Sequence, residues 1–192
     1  MIRNQNDISE AILLKNFEDR IVWIDDEIDN EAIDIVKLII DWNKDDRDID
    51  PMERVPIKLM FFTPGGSLDV NNAIIDIILL SRTPVYGYNM GLCQSAGAFI
   101  YLSCHKRYTM PWGTFLFHQG SGGMTGSQQF VQSLIQDWNV NIVRLQNFLV
   151  EKTSYTPREV EANLKGEWYI YSEEAIMRGV AEEVITNVEE LF

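Results

Sequence analysis

Residues 56–78 read PIKLMFFTPGGSLDVNNAIIDII, and the fold is decided here. Pro56 to Thr63 is a nearly continuous apolar run of strand length. Pro64-Gly65-Gly66 supplies a tight turn, after which Val70, Ala73, Ile74, Ile77 and Ile78 recur at helical spacing and mark the buried face of a helix. The same unit lies on either side. Upstream, Arg20 to Ile24 (RIVWI) is β-prone and is followed by Ala32, Ile35, Val36, Ile39 and Ile40 at helical spacing. Downstream, Pro84 to Met90 reads as a strand, Ser95 to Cys104 as a short helix rich in small residues, and Lys106 to Met110 and Thr114 to Phe117 as two further strands. Strands alternating with helices predict an α/β fold with a mostly parallel sheet.

Beyond His118 the pattern changes. Gly120 to Gly126 (GSGGMTG) suits a flexible or extended segment, and Val131, Leu134, Ile135, Trp138, Ile142, Leu145 and Leu149 then form one stripe of a long helix. Asp137 and Arg144 are the only charged residues between Gly126 and Val150. So sparse a polar coat predicts contact with another subunit, the alternative being a helix buried within a monomer. Thr156-Pro157-Arg158-Glu159 has the N-cap, first-turn proline and acid of a helix start, and Ser172-Glu173-Glu174-Ala175 opens another in similar style.

With 192 residues, 46% hydrophobic and 23% charged, the chain suits one globular domain spanning 1–192. A formal charge of −13 argues against a nucleic-acid partner, which requires a basic face. The acids of Glu18 to Asp34, Asp41 to Glu53 and Glu173 to Glu190 read as a solvated surface, with Asn43 to Glu53 as an exposed loop. Apolar stretches such as Ala73 to Leu80, interrupted by Asp76, fall short of the roughly 20 residues of a membrane span. Met1 to Glu10 has no apolar signal-peptide core, so a cytoplasmic protein is expected. Cys93 and Cys104 read as buried free thiols. With two histidines in the chain, no metal cluster is expected, nor any cofactor.

Three glycine-containing places stand at strand ends, where open α/β sheets hold ligands: Pro64 to Ser67, Gly91 to Gly97, and His118 to Gly123. A serine hydroxyl needs a base to take its proton, and the tetrahedral intermediate needs N–H donors. Ser95 lies on a strand-to-helix turn between small residues, beside a helix N-terminus with free N–H groups. A nucleophile elbow would read Gly-x-Ser-x-Gly, and here Cys93 stands two before the serine; taken alone, Ser95 also reads as a helix N-cap.

Three blocks, PIKLMFFTPGGSLDVNNAIIDII, PVYGYNMGLCQSAGAFIYLSCHKRYTMPWGTFLFHQGSGGMTGS and EWYIYSEEAIMRGVAEEVI, resemble in order and spacing the proteolytic subunit of Clp protease, the ClpP family, from about Ile8 to Ile185. The resemblance implies the ClpP/crotonase-like spiral of ββα units with a protruding handle helix (handle region about 119–152). It implies a serine endopeptidase with Ser95 as nucleophile, His118 as base and the backbone N–H groups of Gly66 and Ala96 as oxyanion hole. Gly122 and Gly123 look like the glycine pair before the handle. The implied assembly is a homo-oligomer of heptameric rings pairing into a tetradecamer, with peptides or unfolded proteins as substrates and an AAA+ unfoldase as partner. His105, in CHKRY, falls where the family has a variable turn and reads as a surface histidine, while Cys93 reads as a packed small residue rather than a nucleophile.

The chain departs from the family's pattern at two places. Aligning Glu173-Glu174-Ala175 with the family's helix start puts Glu167 where the family has the triad aspartate; its alternative is a solvated loop carboxylate. Only Met1 to Asp7 precede the segment matched by Ile8 to Phe17, so the axial gate is expected to be short and dependence on an unfoldase open. Cys93, Gln94 and Glu167 motivate the alternative of a catalytically silent ring subunit, and the shared fold that of a crotonase-type acyl-CoA enzyme, for which Ser95 and His118 have no evident use.

Overall fold

A computed structural model of the chain describes residues 5–120 and 122–191. The expected short gate begins in residues 1–4, outside the described residues. Seven strands are present among the described residues: β1 (Ile21–Ile24), β2 (Ile57–Thr63), β3 (Val85–Gln94), β4 (Lys106–Thr109), β5 (Thr114–Phe117), β6 (Trp168–Tyr171) and β7 (Glu183–Val184). The helices are α1 (Gln5–Glu18), α2 (Asp34–Asp45), α3 (Leu68–Leu80), α4 (Ala96–Ser103), α5 (Gln128–Lys152), α6 (Pro157–Asn163) and α7 (Ser172–Arg178). The sheet runs β1-β2-β3-β4-β7, all parallel, with β5 joined to β3 in parallel and β6 to β5 antiparallel.

The sheet forks within β3. Tyr86 to Asn89 pair with β4, whereas Leu92 to Gln94 pair with β5. On the other side the register with β2 jumps from Phe61↔Asn89 to Phe62↔Leu92, which leaves Met90 and Gly91 bulged out. Gly91 takes φ +139°, a conformation that suits glycine. The sequence pattern ends this strand at Met90; the bulge instead kinks it and lets it run four residues further. The fully buried Asn89 side chain replaces ladder bonds at the kink, accepting from Gly91 N–H at 2.9 Å and donating to the Thr114 carbonyl at 3.1 Å.

Helices pack on the strands through the faces the periodicity picks out. Val70, Ile74 and Ile78 of α3 are buried as expected, whereas Ala73 and Ile77 are only partly buried and Ile75 is enclosed instead; Ile35 and Ile39 of α2 are buried, while Ile40 is half exposed. Every residue of α4 is buried, as small side chains between sheet and neighbouring helices permit. Ser67 caps α3, accepting from Val70 N–H, and Thr156 with Glu159 forms a reciprocal capping box on α6. Ser172 is not a cap as its position suggests; its hydroxyl donates to the Met110 carbonyl at 2.8 Å and braces the β4–β5 turn.

Helix α5 behaves as its sparse charge suggests. No residue of α5 before Asn141 is buried, and Phe130, Ile135, Val140 and Val143 are about half exposed, whereas Leu149 is fully enclosed. The expected loop at 43–53 is more structured. Asn43 to Asp45 close α2, and Asp46 is buried, held by both terminal nitrogens of Arg20 at 2.6 and 2.8 Å and by the Thr83 hydroxyl at 2.9 Å. A run of acids looks uniformly solvated from sequence, because the partner of Asp46 lies 26 residues away. No helix among the described residues is long and apolar enough to cross a membrane.

Two stability measurements follow from these contacts. Asn89→Leu strands the Gly91 N–H and the Thr114 carbonyl at the fork, and is expected to lower unfolding stability by about 2–4 kcal/mol in urea titration. Arg20, by hydrogen bonding, holds the Asp46 pKa below its usual value. The native state therefore binds fewer protons than the unfolded chain in acid, and this contribution is present at neutral pH and lost as pH falls through 3.8 and below. Asp46→Asn is expected to cost about 3 kcal/mol at pH 7, with the gap to wild type closing on acidification.

Candidate active site

Strand register brings the candidate residues together. In the parallel pair β2–β3, Thr63 lies opposite Cys93, so continuing the register sets Gly65 opposite Ser95. A Cβ on Gly65 would fall 2.6 Å from that of Ser95, and one on Gly66 would fall 2.2 Å from the Ile28 carbonyl oxygen. Only a glycine pair, at φ +98° and +153°, lets the turn pass this closely. The bridge between Gly66 and Ile28 uses the Gly65 carbonyl and the Ser67 N–H, so it does not engage the Gly66 N–H. In the antiparallel pair β5–β6, Phe117 faces Trp168, and one step further His118 faces Glu167.

Ser95 ends β3 and precedes α4 with φ 51° and ψ −123°, a strained conformation for a residue with a Cβ, costing on the order of 1–3 kcal/mol. Its N–H is tied to the Leu116 carbonyl at 2.8 Å. It occupies the N-cap position of α4 but makes no side-chain cap bond. The hydroxyl instead meets His118 Nε2 at 2.7 Å, and His118 Nδ1 meets Glu167 Oε1 at 3.2 Å. The histidine side chain is mostly enclosed, while that of Glu167 is more than half exposed. Ala96 opens α4, so its N–H belongs to the first turn, which has no helical acceptor.

Ser95, Ala96 and His118, but not Glu167, line a cleft of about 680 Å³. Pro64 to Leu68 and Glu27 form one wall, and His118 to Gly120 another; Trp138, Ile142 and Leu145 reach in from α5, and Asn71, Phe99 and Leu116 complete the lining. Gly66, Ser95, Ala96 and His118 all lie on it. Asn71, Trp138 and Glu27 were not legible as site residues. The only signal for Asn71 is a polar side chain on an otherwise apolar helix face.

Other nucleophile and base candidates lie elsewhere. His105 is exposed at the start of β4, where its Nδ1 accepts the Val85 N–H at 2.9 Å. Val85 begins β3 and Ser95 follows its end, about 30 Å away at strand rise. Partial burial lowers the His105 pKa. Cys93 and Cys104 are buried free thiols whose pKa values burial raises, Cys93 well above normal. Among the described residues no group of three or more His, Cys, Asp or Glu converges to hold a metal.

Fold and cleft together define a class: an α/β protein with a serine, a histidine and a carboxylate hydrogen-bonded in series at the ends of adjacent strands. Residues 4–188 match the family model described as Clp protease. The ATP-dependent Clp protease proteolytic subunit 2 of Pseudomonas aeruginosa is 30% identical over 138 residues, covering 71% of this chain and 69% of that protein. The subunit of the same name from Leifsonia xyli is 28% identical over 181 residues, covering 90% and 77%. A solved ClpP1 mutant from Listeria monocytogenes matches with a TM-score of 0.79 at 22% identity, over 94% of this chain and 99% of that one. The chain belongs to the Clp protease family, and its fold is the ClpP-type spiral with a handle helix.

Burial and raised pKa predict that both cysteines resist alkylation. Iodoacetamide at pH 8 is expected to leave Cys93 and Cys104 unmodified in the native protein and to label both in denaturant, as read by intact mass.

Proposed function

We propose that this protein is a serine endopeptidase acting as a Clp-type proteolytic subunit, with Ser95 as nucleophile, His118 as general base and Glu167 as the carboxylate that orients it. The observation that carries this reading is the unbroken series Ser95 Oγ, His118 Nε2, His118 Nδ1, Glu167 Oε1, at 2.7 and 3.2 Å. For Nε2 to accept the serine proton, the neutral ring must carry its hydrogen on Nδ1, where it donates to Glu167. Attack of Ser95 Oγ on a peptide carbonyl transfers that proton to His118 and puts negative charge on the carbonyl oxygen. The N–H groups of Gly66 and Ala96 receive that charge. His118 then protonates the leaving amine, and the acyl-enzyme is hydrolysed by a water that His118 deprotonates in turn.

Glu167 supports the imidazolium from an exposed position, so solvent screens part of its effect. Glu167 stands one residue before β6, and His118 one residue after β5, which supports a carboxylate one methylene longer than aspartate reaching the ring. The chain acts as one domain, 1–192, with its handle region at about 119–152. The half-exposed apolar face of α5 favours a homo-oligomer in which handles pack together, as heptameric rings that pair. Such a chamber admits peptides and unfolded chains, and the relatives' ATP-dependent naming extends to this chain as delivery by an AAA+ unfoldase. The cytoplasm, where buried thiols stay reduced, is the proposed compartment.

Incubation with a fluorophosphonate probe is expected to label Ser95, read by peptide mass spectrometry, and Ser95→Ala to abolish the label. Absence of labelling in protein shown by light scattering to be assembled would overturn the reading in favour of a silent ring subunit. On peptide substrates, Ser95→Ala and His118→Ala are each expected to lower kcat/KM by on the order of 10³-fold or more. Glu167→Gln is expected to cost on the order of 10–100-fold, mainly in kcat.

A further inference from the structure

Asn71, on α3, is fully buried and lines the cleft. Its Nδ2 donates to Asn72 Oδ1 at 3.2 Å. Asn72 Nδ2 donates to Asn141 Oδ1 on α5, also at 3.2 Å, and Asn141 Nδ2 donates to the carbonyl and carboxylate of Asp137 at 3.1 and 3.2 Å. This relay has a direction. Asp137 offers only acceptors to Asn141, so Asn141 must present its amide nitrogen there and its oxygen to Asn72, and the same orientation passes to Asn71. The last group in the chain is Asn71 Oδ1, an acceptor with no hydrogen-bond partner among the described residues. A buried acceptor left unmet destabilises the fold, so one that persists calls for a donor from outside. Oδ1 is itself enclosed, but Asn71 is the one member of the relay that lines the cleft, so the cleft is the side from which a donor reaches Oδ1 as the side chain adjusts.

We propose that Asn71 Oδ1 sets the specificity of the cleft. It accepts a hydrogen bond from the tip of the substrate side chain on the N-terminal side of the scissile bond, and so selects tyrosine over phenylalanine. This rests on the peptidase reading, because the carbonyl that Ser95 attacks belongs to the residue whose side chain lies beside it. The surroundings are apolar and aromatic, with Leu68, Phe99, Trp138 and Leu145 lining the same cleft, which suits a flat ring. A ring without a hydroxyl would fill that space and leave Oδ1 unmet; a tyrosine satisfies both demands. Where a buried polar group awaits a substrate hydroxyl, the analogue lacking it is rejected far more strongly than a missing methylene would be.

Asn71 is a positioning and specificity residue, and its signature is a selectivity ratio rather than a loss of rate. Cleavage of two peptides identical except for tyrosine or phenylalanine before the scissile bond is expected to favour tyrosine in kcat/KM by about tenfold or more in the wild-type assembly. In Asn71→Leu, with Ser95 labelling by fluorophosphonate as the control for an intact site, the ratio is expected to fall to about one or to reverse. Fluorescein-labelled peptides ending in tyrosine or phenylalanine, titrated against Ser95→Ala, are expected to show the same preference in binding, independently of cleavage. Equal handling of the two residues by wild type, in cleavage or in binding, overturns the inference and leaves the peptidase reading standing. A tyrosine preference in binding without any cleavage or labelling overturns the peptidase reading instead.

Discussion

The fork in β3 is the constraint on which the rest of the architecture depends. A strand that stayed flat would carry β4 and β5 along one continuous ladder and leave the candidate residues in separate places. The two bulged residues, with glycine at the kink, turn the last part of β3 onto β5 while the first part keeps β4. Hydrogen bonding broken by the turn is restored by one side chain, Asn89, whose amide serves an N–H and a carbonyl that have lost their ladder partners. Because the second limb then runs through β5 to β6, Ser95, His118 and Glu167 come to stand one residue beyond the ends of consecutive strands of that limb.

Strain and register finish what the fork begins. Ser95 is held at positive φ with its N–H anchored to β5, so its hydroxyl is withdrawn from helix capping and turned to His118. The glycine pair after β2 closes against it at a distance no side chain would allow. On the far side, the antiparallel pairing ends at Phe117 and Trp168, and the next residue on each side brings His118 to Glu167, just outside the strands. The site is thus built on strand ends, whose positions are more sharply defined than those of free loops.

The cleft also depends on α5. Its C-terminal end seats in the core through Leu149, while its middle brings Trp138 and Ile142 over the cleft and its outer apolar residues stay uncovered. One helix therefore links the exposed face proposed to meet neighbouring subunits with the lining of the cleft, and the asparagine relay ties it to α3 across the same space.

Local patterning determined a good deal by itself. Period and turn chemistry marked the strands and helices from Arg20 to Phe117, because an apolar run followed by glycine and then by 3.6-residue spacing has few structural readings. The same local chemistry pointed to Ser95, to the glycine turn and to an under-charged long helix. Partnership between distant residues was decided only by the tertiary structure. Whether Ser95 caps a helix or meets a histidine depends on a backbone angle and on a strand 20 residues downstream, and whether the loop carboxylate Glu167 reaches that histidine depends on the β5–β6 register. Asp46 looked solvated until Arg20 was placed beside it, and Asn71 was one polar letter in an apolar face. Sequence periodicity reports which side of an element faces inward; which atoms meet there is set by how elements pack, and that is a property of the whole chain.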